Sequence, residues 1–173
     1  MFRKLDITFN ENDFRKKDIE IIKYGKKVEN KFMGVSYNQC DLSQEFLSKL
    51  LGIVPRNMIH HFTPMVMEIN TDIFPHIDSG VNTVINFYLR TGGYVTDFNK
   101  PTEGASVFKL NNQTNGYIIN FNQVSVIDSF TAKDGDVYIL DVTKLHSVHS
   151  GTGTRTALVL STNLSFDEVC SFF

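Results

Sequence analysis

Apolar and polar residues alternate in short runs along most of the chain, a pattern that predicts β-strands. The runs lie mainly beyond Asn57 and are rich in Val, Ile, Thr and Phe, which favour strands. Clusters of Gly, Asn and Asp between them predict turns. We therefore expect one body built as a sandwich, a jelly roll or a barrel. The predicted strands are 2–9, 59–70, 83–89, 93–98, 106–110, 117–121, 124–130, 136–140, 145–148 and 156–161.

A different period precedes these strands, because apolar residues recur every three to four positions between 42 and 51. This spacing predicts an amphipathic helix that packs across the outside of the sheet. Asp41 or Ser43 can cap the start of the helix, and Gly52 ends it. Residues 166–173 form a second apolar segment, which we expect either to dock on the sheet or to make a dimer contact.

Composition and charge narrow the class of protein. The chain has 173 residues, of which 42% are hydrophobic, enough for one domain with a substantial core. A net charge of -2 and a pI near 6.2 give no basic field, so a nucleic-acid partner is disfavoured. Cys40 and Cys170 cannot make a disulfide framework, and no apolar run predicts a signal peptide or a membrane span. We expect a cytoplasmic protein.

His76 and Asp78 are the first candidate site residues because they lie two positions apart. In an extended chain, side chains at that spacing leave the same face. An imidazole and a carboxylate there, joined by one further histidine, form the facial triad of non-haem iron(II) oxygenases. His60 and His61 have no carboxylate nearby in sequence, so we expect ordinary structural or surface histidines at those positions.

Geometry leaves the third ligand open between His146 and His149. These two residues lie three positions apart, so they face opposite sides of a regular strand. A four-residue turn at 151–154 would put His146 and Arg155 on one inward face of a hairpin. A five-residue turn at 150–154 would give that face to His149 instead.

The ordered set His76-x-Asp78, His146-x-Val148 and Arg155 resembles the iron(II)/2-oxoglutarate-dependent oxygenase superfamily, and most strongly its prolyl-hydroxylase-like branch. The resemblance covers roughly 59–163. It implies a mainly β fold with flanking helices, arranged as a double-stranded β-helix or jelly roll. On this basis residues 1–173 form a single oxygenase domain, in which 1–57 is a supporting segment and 58–163 is the jelly-roll core.

The same resemblance selects His146 as the third ligand. It implies that His76, Asp78 and His146 form the catalytic, metal-binding set and hold Fe(II). It further implies 2-oxoglutarate as the cosubstrate and ascorbate as an additional candidate cofactor.

The far carboxylate of 2-oxoglutarate requires a permanently charged, planar donor inside the fold, and Arg155 offers one. The resemblance assigns Tyr88 to the same cosubstrate pocket, with Asn86 behind it. The alternative for both residues is that they form the solvent face of their strand together with Arg90.

The implied activity is hydroxylation of an unactivated C–H bond, coupled to decarboxylation of 2-oxoglutarate. We expect a peptide or small-molecule substrate: first a prolyl or other peptidyl side chain, then a free amino acid or metabolite, and last an alkylated nucleobase. The competing classes are a non-catalytic jelly-roll binding module and a metal-dependent isomerase or hydrolase. A monomer or a homodimer without a membrane partner is expected.

Two further expectations concern the surroundings of the site. The glycine-flanked stretch 90–104 is a candidate lid over the mouth of the fold. The prolyl-hydroxylase-like branch often carries a tyrosine on the strand ahead of the metal motif, whereas 65–70 has none here. Asn70 is the candidate substitute.

Overall fold

The computed structural model describes residues 1–9, 19–21, 28–30, 35–109 and 116–173. Over these residues the chain is mainly β, as predicted, with two short helices, α1 (Gln44–Leu50) and α2 (Phe166–Cys170). Single 3-10 turns lie at Ile59–His61 and Phe121–Gln123. The strands are β1 (Phe2–Thr8), β2 (Ile19–Ile21), β3 (Val28–Asn30), β4 (Val35–Leu42), β5 (Thr63–Ile69), β6 (Ile73–Ile77), β7 (Thr83–Arg90), β8 (Val95–Pro101), β9 (Phe108–Lys109), β10 (Tyr117–Ile118), β11 (Val124–Thr131), β12 (Asp136–Asp141), β13 (His146–His149) and β14 (Arg155–Thr162).

The described strands form two antiparallel sheets. The larger sheet has the order β1-β12-β7-β14-β5-β4-β2, and β3 also pairs with β4. The smaller sheet has the order β11-β8-β13-β6-β10-β9. Most neighbouring strands are distant in sequence, so each sheet brings together residues from both halves of the chain. None of the helices in the described part of the chain is long and apolar enough to cross a membrane.

Apolar side chains pack on both faces of the larger sheet. One buried cluster lies between the two sheets and includes Tyr88 from the larger and Phe98 from the smaller. The second cluster lies on the outer face, where Leu158 packs with Phe46 of α1 and Val169 of α2. Because both faces are covered, the first six residues of β7 are all buried instead of alternating.

The predicted helix at 42–51 is confirmed as α1, although 41–42 belong to β4 and the helix is shorter. Ser43 is the cap, since its Oγ accepts a hydrogen bond from the backbone N–H of Phe46 at 3.1 Å. Phe46 and Leu50 face the outer cluster, so the helix packs outside the sheet as predicted. The C-terminal segment also docks there, through the fully buried Val169 of α2.

The strands on either side of the 150–154 turn do not pair with each other, which corrects the hairpin assumed from sequence. β13 pairs with β6 and β8 in the smaller sheet. β14 pairs with β5 and β7 in the larger sheet. Neither turn register considered for His146 and His149 therefore applies, because this turn carries the chain from one sheet to the other.

The proposed lid at 90–104 is also wrong, because β8 occupies its middle. β8 pairs with β11 on one side and β13 on the other, and Tyr94 and Phe98 are buried. The predicted strands 83–89, 124–130, 136–140 and 156–161 are confirmed, each extended by at most one residue at either end. The predicted strand 106–110 is observed only as β9, and its last residue lies outside the described part of the chain.

Candidate metal centre

His76 and His146 lie opposite each other on neighbouring strands of the smaller sheet. They are direct cross-strand partners on β6 and β13, and their ring centroids are 4.3 Å apart. Asp78 follows β6 by one residue, and its Oδ1 lies 3.4 Å from Nε2 of His76. One ligand atom from each residue falls within 4.8 Å of the others. The structure therefore brings together all three residues of the predicted triad.

Backbone carbonyls orient both imidazole rings. Nδ1 of His76 lies 2.7 Å from the carbonyl of Phe74, and Nδ1 of His146 lies 2.9 Å from that of Lys144. A carbonyl only accepts hydrogen bonds, so each Nδ1 carries the proton and each Nε2 presents a lone pair. Histidine ligands of metals are commonly fixed in this way.

The ionisation of these residues suits a cation. Burial, reinforced by the neighbouring His76, lowers the pKa of His146 to about 4, so this imidazole is neutral at pH 7. Burial raises the pKa of Asp78, but the contact with His76 and the proximity of both imidazoles outweigh it, and the net pKa lies below its usual value. Nε2 of His76 and Oδ1 of Asp78 lie close enough for one metal ion to contact both atoms. Two imidazole nitrogens and one carboxylate oxygen fit a divalent transition metal.

His149 points away from this cluster, because it alternates with His146 along β13. Its Nε2 lies 2.6 Å from Oδ2 of the buried Asp97, and its Nδ1 lies 2.8 Å from Oγ of Ser150. Of the two histidines, His146 therefore lies in the cluster with His76 and Asp78, and His149 does not. His60 and His61 stack on each other outside the cluster, and neither is buried.

Arg155 enters the same cavity from the larger sheet. Only 1% of its surface is exposed, and its guanidinium donates hydrogen bonds to Oγ1 of Thr96 at 2.9 Å and to the carbonyl of Tyr94 at 2.6 Å. The rings of Tyr88 and Tyr94 flank it, with centroids 5.3 and 5.4 Å from its Cζ. Within the described residues no carboxylate pairs with it, and its Nε has no hydrogen-bond partner. A buried guanidinium without a described carboxylate partner can be stabilised by binding an anion.

The separation between Arg155 and the triad follows from strand register. On β8 and β13, Thr96 pairs with Val148 and Phe98 pairs with His146. The hydroxyl that Arg155 contacts is therefore two residues along the sheet from the level of His146, which is about 7 Å.

Asn86 and Tyr88 also face this cavity, so the alternative that they form a solvent face is wrong. Tyr88 is 1% exposed and Asn86 is 5% exposed, whereas Arg90 at the end of the same strand is exposed. Nδ2 of Asn86 donates to the hydroxyl oxygen of Tyr88 at 3.3 Å, and Oδ1 of Asn86 finds no partner. Oδ1 of Asn86 can therefore still accept a hydrogen bond within the cavity, and the Tyr88 ring lies against Arg155.

Sequence reasoning missed Tyr37, which lines the cavity from β4. Burial, reinforced by the carboxylate of Asp78, raises the pKa of the Tyr37 phenol. Asn70, the expected substitute for a missing tyrosine, is exposed and does not line the cavity. The alternation of Val35, Tyr37 and Gln39, all of which line the cavity, was the available sequence signal for this strand.

The cavity between the two sheets has a volume of about 470 Å³. It is lined by the triad, Arg155 and mainly by Val, Ile, Leu and Met side chains from both sheets. Arg155 is fully buried, the two histidines are 6 and 7% exposed, and Asp78 is more open, with 28% of its side chain exposed. The triad therefore lies between the guanidinium at the deep end and solvent at the mouth. A cavity of this size and lining is typical of a small-molecule or cofactor site.

Comparisons with known proteins place this chain in no family. No protein-family model matches it, and no curated protein matches it. Among solved structures, the X-ray structure of ycfD from E. coli is similar over 88% of this chain and 43% of that chain, with a TM-score of 0.46 and 12% identity. This chain thus spans less than half the length of that structure.

Proposed function

We propose that this chain is an iron(II)- and 2-oxoglutarate-dependent oxygenase of the prolyl-hydroxylase-like branch, with its two sheets arranged as a double-stranded β-helix. The observation that carries the proposal is that a His76-Asp78-His146 cluster and a buried Arg155 without a carboxylate partner among the described residues share one cavity. A metal site alone is compatible with many classes of protein. The buried guanidinium of Arg155, which can bind an anion, is what favours 2-oxoglutarate as the cosubstrate.

His76, Asp78 and His146 would hold Fe(II) through two imidazole Nε2 atoms and one carboxylate oxygen. When bound, the metal supplies the oxygen chemistry that no side chain can perform. The protein's own contribution is to fix the ligands. The carbonyls of Phe74 and Lys144 hold the rings, and three ligands on one side leave the other coordination positions open.

Arg155 would bind the far carboxylate of 2-oxoglutarate, with Tyr88 and Asn86 beside it. The guanidinium contacts the sheet about 7 Å along from His146, a distance that a five-carbon dicarboxylate can span while its other end reaches the metal. The apolar walls of the cavity exclude water from this ion pair, which strengthens it. The substrate would be a peptidyl side chain or a small molecule whose unactivated C–H bond is hydroxylated, and ascorbate remains a candidate reductant.

Anaerobic titration with Fe(II) and then 2-oxoglutarate tests the proposal. We expect a metal-to-ligand charge-transfer band in the wild type, and no band in the His76→Ala variant because one ligand is lost. His61→Ala is the matched control, since His61 is an exposed histidine apart from the cluster. A non-catalytic binding module could give the band, but it would release no succinate when oxygen is admitted. The proposal is overturned if iron-loaded wild type shows no band, or if it shows the band and releases no succinate when oxygen is admitted.

A further inference from the structure

We propose that the part of the substrate that reaches the metal is an uncharged, aliphatic group, which enters past Gln39 and Thr63. This inference rests on the proposed function and goes beyond it, because it concerns the class of substrate rather than the reaction. The supporting observation is the distribution of charge along the cavity wall.

Asp78 and Arg155 are the lining residues of the described cavity that carry a full charge at neutral pH, and the proposed function commits both of them. Asp78 would bind the metal, and Arg155 would bind the cosubstrate. The proposed function also commits the imidazoles of His76 and His146, which would bind the metal. The rest of the described lining consists of apolar side chains and of neutral amide and hydroxyl groups. No charged group of the described lining is left over to pair with a charge on the substrate.

The cavity opens at the end where Asp78 lies. Gln39 and Thr63 are exposed there, and Met65, Ile77 and Val81 are partly buried around the same opening. Arg155 is at the opposite, closed end. With cosubstrate filling the deep end, a substrate would approach the metal between apolar side chains and two neutral polar ones.

A charged substrate group in this position would lose its hydration and find no uncommitted counter-ion among the described lining residues. Burial of an unpaired charge is strongly unfavourable, whereas an aliphatic group gains free energy from the same transfer out of water. Gln39 and Thr63 can still hydrogen-bond polar, uncharged parts of a substrate at the opening. A leucyl, prolyl or similar side chain fits this lining, and a lysyl, arginyl or glutamyl side chain does not.

Three small probes of matched shape test the inference directly: 3-methylbutan-1-ol, isopentylammonium and 4-methylpentanoate. The protein is loaded with Mn(II) and 2-oxoglutarate, and the paramagnetic relaxation of each probe's methyl protons is measured by NMR. We expect the enhancement for the neutral alcohol to be at least about fivefold larger than for either ion, because only the alcohol can leave water without an unpaired charge. The inference is overturned if either ion is relaxed as strongly as the alcohol, or if the alcohol is not relaxed at all.

Two isosteric variants test whether the charge preference for the probes arises at the cavity mouth. Gln39→Glu adds a negative charge at the cavity mouth, and Asn38→Asp adds the same charge to the preceding residue of β4, which does not line the cavity. We expect Gln39→Glu to raise the relaxation of isopentylammonium severalfold and Asn38→Asp to leave it unchanged. Equal effects of the two variants would show that the probe responds to general surface charge, which would overturn the assignment of the mouth.

The outcome separates this inference from the proposed function. If Mn(II) and 2-oxoglutarate both bind but an ion is relaxed most strongly, the function stands and the inference fails. If Mn(II) binds and 2-oxoglutarate does not, the proposed function fails. The probe comparison on the Mn(II) form alone then still measures the charge preference of the cavity.

Discussion

Replacement of Arg155 by methionine is the sharpest test of the proposed cosubstrate site, because the change removes the charge and leaves an unbranched, apolar side chain in its place. In the native protein the guanidinium donates two hydrogen bonds, to Thr96 and to the carbonyl of Tyr94. Each hydrogen bond from a charged donor contributes about 1.5–3 kcal/mol. Methionine loses both of them.

The same substitution also removes a buried charge that no described carboxylate balances, and replacing buried charges by apolar groups is often neutral or stabilising by about 1–4 kcal/mol. The two hydrogen bonds together contribute about 3–6 kcal/mol, so the opposing gain offsets most but not all of their loss. We therefore expect the free energy of unfolding of the metal-free protein to fall by about 2 kcal/mol.

Binding of 2-oxoglutarate should respond quite differently. Removal of one partner of a buried, hydrogen-bonded ion pair costs about 2–5 kcal/mol, because the other charge is left unpaired. The lower limit corresponds to a dissociation constant that is about 30-fold higher. Affinity for Fe(II) should stay within about threefold of wild type, since Arg155 is outside the triad and contacts Thr96, about 7 Å along the smaller sheet from the level of His146.

The assay is the anaerobic charge-transfer titration, with Fe(II) affinity measured separately by competition with a chelator. Arg90→Met is the matched control because Arg90 is an exposed arginine at the end of a neighbouring strand and does not line the cavity. Two results would refute the reasoning. Unchanged 2-oxoglutarate affinity in Arg155→Met would remove Arg155 from the cosubstrate site, and a parallel loss of iron binding would assign it a structural role.

Three further predictions test the site and its support. His149→Ala should retain iron binding and lower the free energy of unfolding by about 1–3 kcal/mol, because Oδ2 of the buried Asp97 loses its partner while Oδ1 keeps its hydrogen bond from Ser129. His146→Ala should instead lose iron binding, and isothermal titration and urea unfolding would show the opposite pattern if the assignment were wrong. The stability of the metal-free protein should depend on pH through His146. In the unfolded state His146 takes up a proton near the ordinary histidine pKa of 6.5. In the folded state burial lowers its pKa to about 4, so the ring stays neutral above that pH. The free energy of unfolding should therefore fall by up to about 3 kcal/mol as pH is lowered through that window, and a His146→Gln variant whose urea unfolding shows the same fall would contradict this. Gly151→Ala places a methyl group against the ring of Tyr94, whose backbone carbonyl accepts a hydrogen bond from Arg155. The variant should therefore bind 2-oxoglutarate more weakly and bind iron almost as well as wild type. Unchanged 2-oxoglutarate affinity in the charge-transfer titration would show that the Tyr94 ring can move without disturbing Arg155.

The local part of the candidate site was predictable because it depends only on side-chain direction along an extended chain. His76 and Asp78 meet since residues two apart share a face, and that argument needs no knowledge of partner strands. Thr83–Arg90 and Asp136–Asp141 were likewise found from their composition and flanking turns. Such features are fixed within a few residues of sequence.

Long-range pairing was not predictable from one sequence. A hairpin is the commonest connection across a short turn, so the chain around 150–154 was expected to pair with itself. The structure instead sends β13 and β14 to opposite sheets. Tyr37 was missed for a related reason, because the sequence of residues 1–39 mixes charged and apolar positions and the neighbouring strand, β5, lies beyond a helix. Which strands become neighbours is decided by the packing of the whole core, not by the sequence of the turn.

The division of the site between two sheets has a consequence for how its geometry is maintained. The metal cluster belongs to the smaller sheet and Arg155 to the larger, so their separation is set where the sheets meet, at the contact of the guanidinium with Thr96 on β8. β8 is in turn tied to β13 on its outer face, where Asp97 holds His149 and Asn99 donates to Oγ of Ser147 at 2.9 Å. These outer-face residues alternate along β8 and β13 with the inward-facing Thr96, which contacts Arg155, and His146. Residues that line no part of the cavity can therefore fix the distance between the candidate metal ligands and the guanidinium.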